Sequence, residues 1–217
     1  IKKQKMKHVV NVHERCQTDI EYIATEQWFI RYLDLKEKFL DAGNTLNWYP
    51  SHMKNRYDNW VKGLQWDWCI SRQRYFGVPI PVWYDNKGKV VLPNEDELPI
   101  DPLKNVPKGY GKDDLIPEKD VMDTWATSSL TPQIAAELMP KKLYKKLYPM
   151  SLRPQAHDII TFWLFNTVVK SQLHNKVNPW HDVMISGWAL DPHGKKMSKS
   201  KGNIVEPQVI IDKYSAD

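Results

Sequence analysis

Apolar residues recur at helical spacing early in the chain. Trp28, Phe29, Tyr32, Leu33, Leu35, Phe39 and Leu40, with charges between them, predict a helix over residues 26–42, and Gly43 offers a left-handed stop. A second helix is expected after Pro50, with Ser51 as N-cap, Met53, Tyr57, Trp60 and Val61 inward, and Gly63 as terminator. Ahead of both, Val10, Val12, Ile20 and Tyr22 alternate with polar residues, which suggests short strands over 8–24. Runs 78–84 and 89–92 flank Asp85-Asn86-Lys87-Gly88 and read as a hairpin. Pro93, Pro99, Pro102, Pro107 and Pro117 make 93–117 an inserted loop with little regular structure. Residues 120–129 read as a strand ending in Ser128 and Ser129, followed by a helix over 134–139. An extended stretch at 151–154 precedes a long helix over 157–174, built on Ile159, Ile160, Trp163, Leu164, Val168 and Leu173. A buried strand over 182–187, a turn over 190–194 and a helix over 208–214 complete the pattern. This β-α-β-α-β-loop order argues for an α/β fold with a parallel sheet.

The composition fits a chain with a real core: 217 residues hold ten Trp, ten Tyr and five Phe. A formal charge of +5 and a pI near 9.0 favour an anionic partner and lend weak support to RNA. Cys16 and Cys69 stand alone, so neither a disulfide framework nor a cysteine zinc knuckle is supported, and the chemistry points to the cytosol. No run of eighteen apolar residues and no signal-peptide core occurs. The opening Ile1-Lys2-Lys3 and the closing Tyr214-Ser215-Ala216-Asp217 both look cut, so the chain reads as an internal fragment.

The most informative chemistry lies in Gly194-Lys195-Lys196-Met197-Ser198-Lys199-Ser200-Lys201-Gly202-Asn203. Lysines interleaved with serines and bounded by glycines suit a mobile loop that closes over a polyphosphate. A solvated basic turn or a nuclear-localisation-like patch is the bland alternative. A strand and a turn lead into the loop and place its charge at a sheet edge, where ligands of open α/β folds bind. The aromatic and arginine-rich stretch 66–77 is either a site rim or a structural junction.

Together these motifs resemble the class I aminoacyl-tRNA synthetases of the valine, isoleucine and leucine subgroup, across almost the whole chain. Lys196-Met197-Ser198-Lys199-Ser200 matches the family's second signature, Trp68-Cys69-Ile70-Ser71-Arg72-Gln73-Arg74 the return from the editing insertion, and His13-Glu14-Arg15-Cys16 through Gln27-Trp28-Phe29 its exit. Asp123-Thr124-Trp125 with Ser128-Ser129, and Arg153-Pro154-Gln155-Ala156-His157-Asp158, are similar to the archaeal-type valine branch; Ala156-His157 departs from the Gly-x of many bacterial relatives. The resemblance implies the second half of a Rossmann-like catalytic domain. It divides the chain into an editing-insertion tail (1–25), a helical connection (26–65), a return motif with hairpin and connective insertion (66–117), and the catalytic half itself (118–217). The His-x-Gly-His signature does not occur, so half of the ATP site and the anticodon-binding domain are expected outside this chain, and the piece alone is expected to be nearly inactive.

The same resemblance implies ATP-dependent ligation of valine to tRNA(Val) through valyl-adenylate. Lys196 and Lys199 then stabilise the leaving pyrophosphate, and Ser198 and Ser200 offer hydroxyl contacts. His157, Asp158 and Met197 join the two lysines around ATP, with Asp158 accepting from the ribose hydroxyls; helix capping is its bland role. Trp125, Ile159 and Trp163 map to the side-chain slot, Ile159 and Trp163 sharing a helix face at a spacing of four; plain core packing is the alternative. Magnesium accompanies ATP on its phosphate oxygens, and no protein-only metal cage or structural zinc is expected. An apolar slot rejects threonine weakly, which accounts for an editing domain in this family. The competing readings are a noncatalytic synthetase-like module that binds RNA or protein, an isoleucine-specific relative, and an unrelated phosphate-binding enzyme.

Overall fold

The structure is a computed structural model that describes residues 3–13 and 16–216, leaving out the side chain of Ser200. Glu14 and Arg15 of the expected insertion exit therefore lie outside the described residues. The described residues ahead of Gln27 are exposed and form no helix. Of the strands expected over 8–24, an isolated Val12–Asp19 bridge is what forms among the described residues.

Strand β1 (Phe29–Ile30) comes next, followed by a 3-10 turn (Leu33–Leu35), helix α1 (Lys36–Asn44), strand β2 (Asn47–Tyr49), a 3-10 turn (Ser51–Met53) and helix α2 (Lys54–Gly63). The helix expected over 26–42 thus starts only at Lys36. Distant partners claim its first half: Phe29 and Ile30 pair with Cys69 and Trp68, the Trp28 N–H donates to Ser71 Oγ (2.8 Å), and Asp67 Oδ1 accepts from the N–H groups of Tyr32 and Leu33. Gly43 lies inside α1 and is no stop. A Cβ there would sit 2.5 Å from Cε1 of Tyr57, so its lack of a side chain serves close packing. Ser51 opens the 3-10 turn rather than capping α2.

Strands β3 (Trp68–Cys69), β4 (Ser71–Arg72), β5 (Trp83–Tyr84), β6 (Val90–Val91), β7 (Ile116–Pro117) and β8 (Val121–Met122) form small antiparallel pairings. The hairpin forms with Trp83 opposite Val91 and Gly88 at φ +77°. The proline-rich insertion is more ordered than expected, because its end, β7, pairs with β5, and Asn94 and Glu97 form a capping box. The strand expected over 120–129 stops at Met122. Helix α3 (Thr124–Ser128) takes up the following residues, so Ser128 and Ser129 sit at a helix end and not at a strand end.

Helices α4 (Thr131–Glu137) and α5 (Lys141–Leu147) lead to strand β9 (Met150–Ala156), then a 3-10 turn (His157–Ile159), a π turn (Ile160–Leu164), helix α6 (Phe165–His174), strand β10 (Trp180–Ser186), a 3-10 turn (Lys199–Lys201) and helix α7 (Pro207–Tyr214). The parallel sheet has the order β2-β10-β9, with Met184 opposite both Tyr49 and Pro154. Its β9-helix-β10 unit is as expected, but the third strand is β2 rather than β8, which pairs antiparallel with β4. One face carries Val183 and Ile185 into a core with Phe39, Tyr57, Val61, Ile160, Leu164, Phe165 and Val168. The rings of Tyr32, Phe39 and Phe165 meet edge to face at 5.7–6.2 Å. The opposite face exposes Tyr49, Leu152 and Met184, an unusual state for a parallel sheet, which normally buries both faces.

Candidate active site

Strands β9 and β10 end side by side, Ala156 opposite Ser186, and the chain leaves both ends into polar segments. After β9 it turns into His157 and Asp158; after β10 it forms the lysine loop. His157 Nδ1 lies 3.4 Å from the Ser186 carbonyl oxygen, and its ring leans on Trp188 with 4.7 Å between centroids. Lys196 Nζ sits 4.3 Å from the centre of the Trp188 ring and donates to Asp158 Oδ2 at 2.7 Å. That bond holds the Asp158 carboxyl below its ordinary range. A carboxylate that can accept hydroxyls and an ammonium that can attract phosphate are therefore paired with each other.

The loop is shaped by its own residues. Leu190 bridges to Lys196, and Gly194 takes φ +73°, a left-handed turn that suits glycine. Asp191 Oδ1 accepts from the N–H groups of His193 (2.9 Å) and Lys195 (2.8 Å). Asn203 ties the two arms: its Nδ2 donates to Asp191 Oδ2 (2.8 Å) and to the Lys196 carbonyl (3.2 Å), and its Oδ1 accepts from the Ser198 N–H (3.0 Å). Contacts from Asn203 and the Lys195 backbone lower the Asp191 carboxyl. Met197 is half-buried, with Sδ 3.4 Å from the Val205 N–H. Lys199 is exposed and makes no ion pair among the described residues, so the structure does not bring it to Asp158 as it does Lys196. The Ser200 side chain lies outside the described residues.

Beside this lies an aromatic group. Trp163 is buried, its Nε1 donates to the Ser128 carbonyl (3.2 Å), its ring stands 5.5 Å from Trp180, and the Arg153 guanidinium lies 4.0 Å over it. Trp125 is 39% exposed and stacks on Phe162 at 6.1 Å. Ile159 is partly buried against the core. Residues 157–164 form 3-10 and π turns, so the α-helical spacing argument for Ile159 and Trp163 does not hold, although both turn inward. On the strand face shared with Arg153, buried Gln155 leaves both amide atoms without a partner, as Arg153 leaves Nε. Such atoms are costly unless something binds them.

Trp188, Gln155, Asp191 and Asn203 have no role assigned from sequence. The Asp-Pro-His-Gly turn is a signal for Asp191, since aspartate commonly bonds the backbone two residues on. Nothing local marks Trp188, whose role rests on a pairing across 31 residues, between positions 157 and 188.

A family model described as tRNA synthetases class I (I, L, M and V) matches residues 3–217. The chain belongs to this class I tRNA synthetase family. Valine--tRNA ligase of Thermoplasma volcanium is 54% identical over 222 residues, a match that takes in all of this chain and 28% of that protein. The valine--tRNA ligase of Wolbachia sp. subsp. Brugia malayi is 50% identical over 220 residues, 97% of this chain and 26% of the relative. Mycobacterium tuberculosis methionyl-tRNA synthetase bound by methionyl-adenylate shares the fold over 94% of this chain and 34% of its own, with a TM-score of 0.62 at 19% identity. The Agrobacterium radiobacter LeuRS-tRNA-LeuAMS complex matches 70% of this chain and 23% of its own, with a TM-score of 0.59 at 24% identity. The Rossmann-like α/β class with a parallel sheet is thus as expected. The chain spans about 28% of the length of the Thermoplasma relative. No described helix is long and apolar enough to cross a membrane, and no group of three or more His, Cys, Asp or Glu among the described residues is placed to hold a metal.

Proposed function

We propose that the chain is part of a cytoplasmic valine--tRNA ligase and contributes the second half of its catalytic domain, divided at about residues 25, 65 and 117 as the motifs suggest. The observation that carries this reading is Lys196 held at Asp158 where two parallel strands end. In the first step a valine carboxylate oxygen attacks the α-phosphorus of ATP, the bond to the bridging oxygen breaks, and pyrophosphate leaves with the electron pair. ATP binding exchanges partners: the ribose hydroxyls donate to Asp158, which frees Lys196 for the phosphates. Lys196, with Lys199, then meets charge as it develops on the leaving group, while Ser198 and Ser200 offer hydroxyls. Met197 and His157 flank the nucleotide. Magnesium on the phosphate oxygens supplies further charge neutralisation when bound.

Trp125, Ile159 and Trp163 give a rigid apolar slot for the valine side chain, and Gln155 offers polar atoms at its rim. In the second step a terminal ribose hydroxyl of tRNA(Val) attacks the valyl carbonyl carbon and AMP departs. The bare sheet face of Tyr49, Leu152 and Met184, together with the 28% coverage, supports action as part of a longer protein and little activity of these residues alone. The test is charging of tRNA with labelled valine by the full-length protein. Charging that depends on valine and ATP is expected; its absence would reject the proposal.

A further inference from the structure

At the end of the sheet remote from the lysine loop, helix α5 reads Lys141-Lys142-Leu143-Tyr144-Lys145-Lys146-Leu147 and contains no acidic residue. All four lysines are exposed, and none has an ion-pair partner among the described residues. They are as many as four of the five units of the chain's formal charge excess. The pairs 141/145 and 142/146 repel at a spacing of four, and Lys141 and Lys142 stand at the helix start, where the backbone dipole disfavours cations. Lys145 and Lys146, in the last turn, suit the dipole, but no acid on α5 offsets the four charges, whereas an external polyanion does.

The positive surface continues past α5. Tyr144 lines a cleft whose charged residue is Glu137, whereas Pro149, two residues beyond α5, lines an open cleft of about 700 Å³ together with Lys38, Lys176 and His181, opposed by Asp41. Strand β9 separates this edge from Asp158 by seven residues, roughly 20 Å at strand rise. That exceeds the screening length of about 8 Å at physiological salt, so these lysines do not assist ATP. Their partner is a second, extended anion.

We propose that α5 and the adjoining cleft bind the phosphate backbone of RNA, at a surface separate from the nucleotide site. The identity of that RNA as the tRNA substrate rests on the proposed ligase activity. Lysine point charges that track phosphates bind without reading bases, so affinity here depends on salt and little on sequence.

The experiment compares full-length protein with the quadruple variants K141Q/K142Q/K145Q/K146Q and K141R/K142R/K145R/K146R. Filter binding of a tRNA(Val) transcript is measured across salt, beside ATP–pyrophosphate exchange without RNA. The glutamine variant should lose at least about tenfold in affinity near 0.15 M salt and flatten the log–log salt slope by about 2–4, with exchange unchanged. The arginine variant should bind like the parent. Unchanged affinity and slope in the glutamine variant, or equal loss in the arginine variant, overturns the proposal. Loss of binding to phosphatidylserine vesicles with RNA binding intact overturns it in favour of a membrane surface. Absence of pyrophosphate exchange in the parent counts against the ligase reading alone.

Discussion

Replacing Asn203 by alanine isolates the order of the loop from the charges it carries. The side chain makes three hydrogen bonds, to Asp191 Oδ2, the Lys196 carbonyl and the Ser198 N–H, and so meets Lys196 and Ser198 at their backbones. A hydrogen bond is worth about 0.5–1.5 kcal/mol net, and more to a carboxylate, but these sites are half open and water replaces part of each. A loss on the order of 1–2 kcal/mol in loop order follows, or roughly 5–30-fold in the population of the shaped loop. In rapid-quench single-turnover assays of the full-length protein, valyl-adenylate formation should slow by about tenfold. The valine dissociation constant should stay within about twofold, and the midpoint of global unfolding should not move, since the loop lies outside the core. An unchanged adenylation rate, or a parallel loss of valine affinity, refutes the idea that Asn203 preorganises the loop.

Lys196→Ala and Lys199→Ala should each slow adenylate formation by about 10²-fold or more in the same assay, with valine affinity nearly unchanged; equal loss in both parameters contradicts the leaving-group role. Gly43→Ala places a Cβ 2.5 Å from the Tyr57 ring and should cost about 1–3 kcal/mol in urea unfolding, with a neutral result showing that the helix pair can part freely. Trp163→Phe should weaken discrimination of valine from isoleucine in pyrophosphate exchange, whereas Trp163→Ala should cost about 3–5 kcal/mol in unfolding because the residue is buried. Because the folded-state pKa of Asp158 is depressed by Lys196, their pairing is fully present above the ordinary carboxylate value of about 3.9 and is lost as pH falls through the lower folded value. A carboxyl titration of Asp158 followed by NMR should therefore move upward in Lys196→Ala, and an unmoved titration would show that the pair does not form in solution.

The elements legible in the sequence were those with a strong local period or a turn residue. Strand β10 and helix α2 fall where a short buried run and helical spacing put them, within a few residues. The misplacements trace to partners far along the chain. Trp28 and Phe29 fit a helix face by spacing, yet Ser71 and Cys69 hold them in a strand. Asn47, Trp48 and Tyr49 carry no strand pattern of useful length and become a parallel edge only because β10 lies beside them. Asp123 ends its strand early because its carboxylate faces Arg72 at 3.4 Å and α3 begins at the next residue. In the site, the lysine run was visible as chemistry, while the Trp188 bracket around His157 and Lys196 depends on strand register, which the local pattern does not reveal.

The central claim is that this fold activates valine. It is tested most directly by amino-acid-dependent exchange of labelled pyrophosphate into ATP in the full-length protein, with valine, isoleucine, leucine and threonine compared. Strong exchange with valine and a weak second with threonine is the predicted result. Exchange led by isoleucine, or no exchange with any of the four, contradicts it.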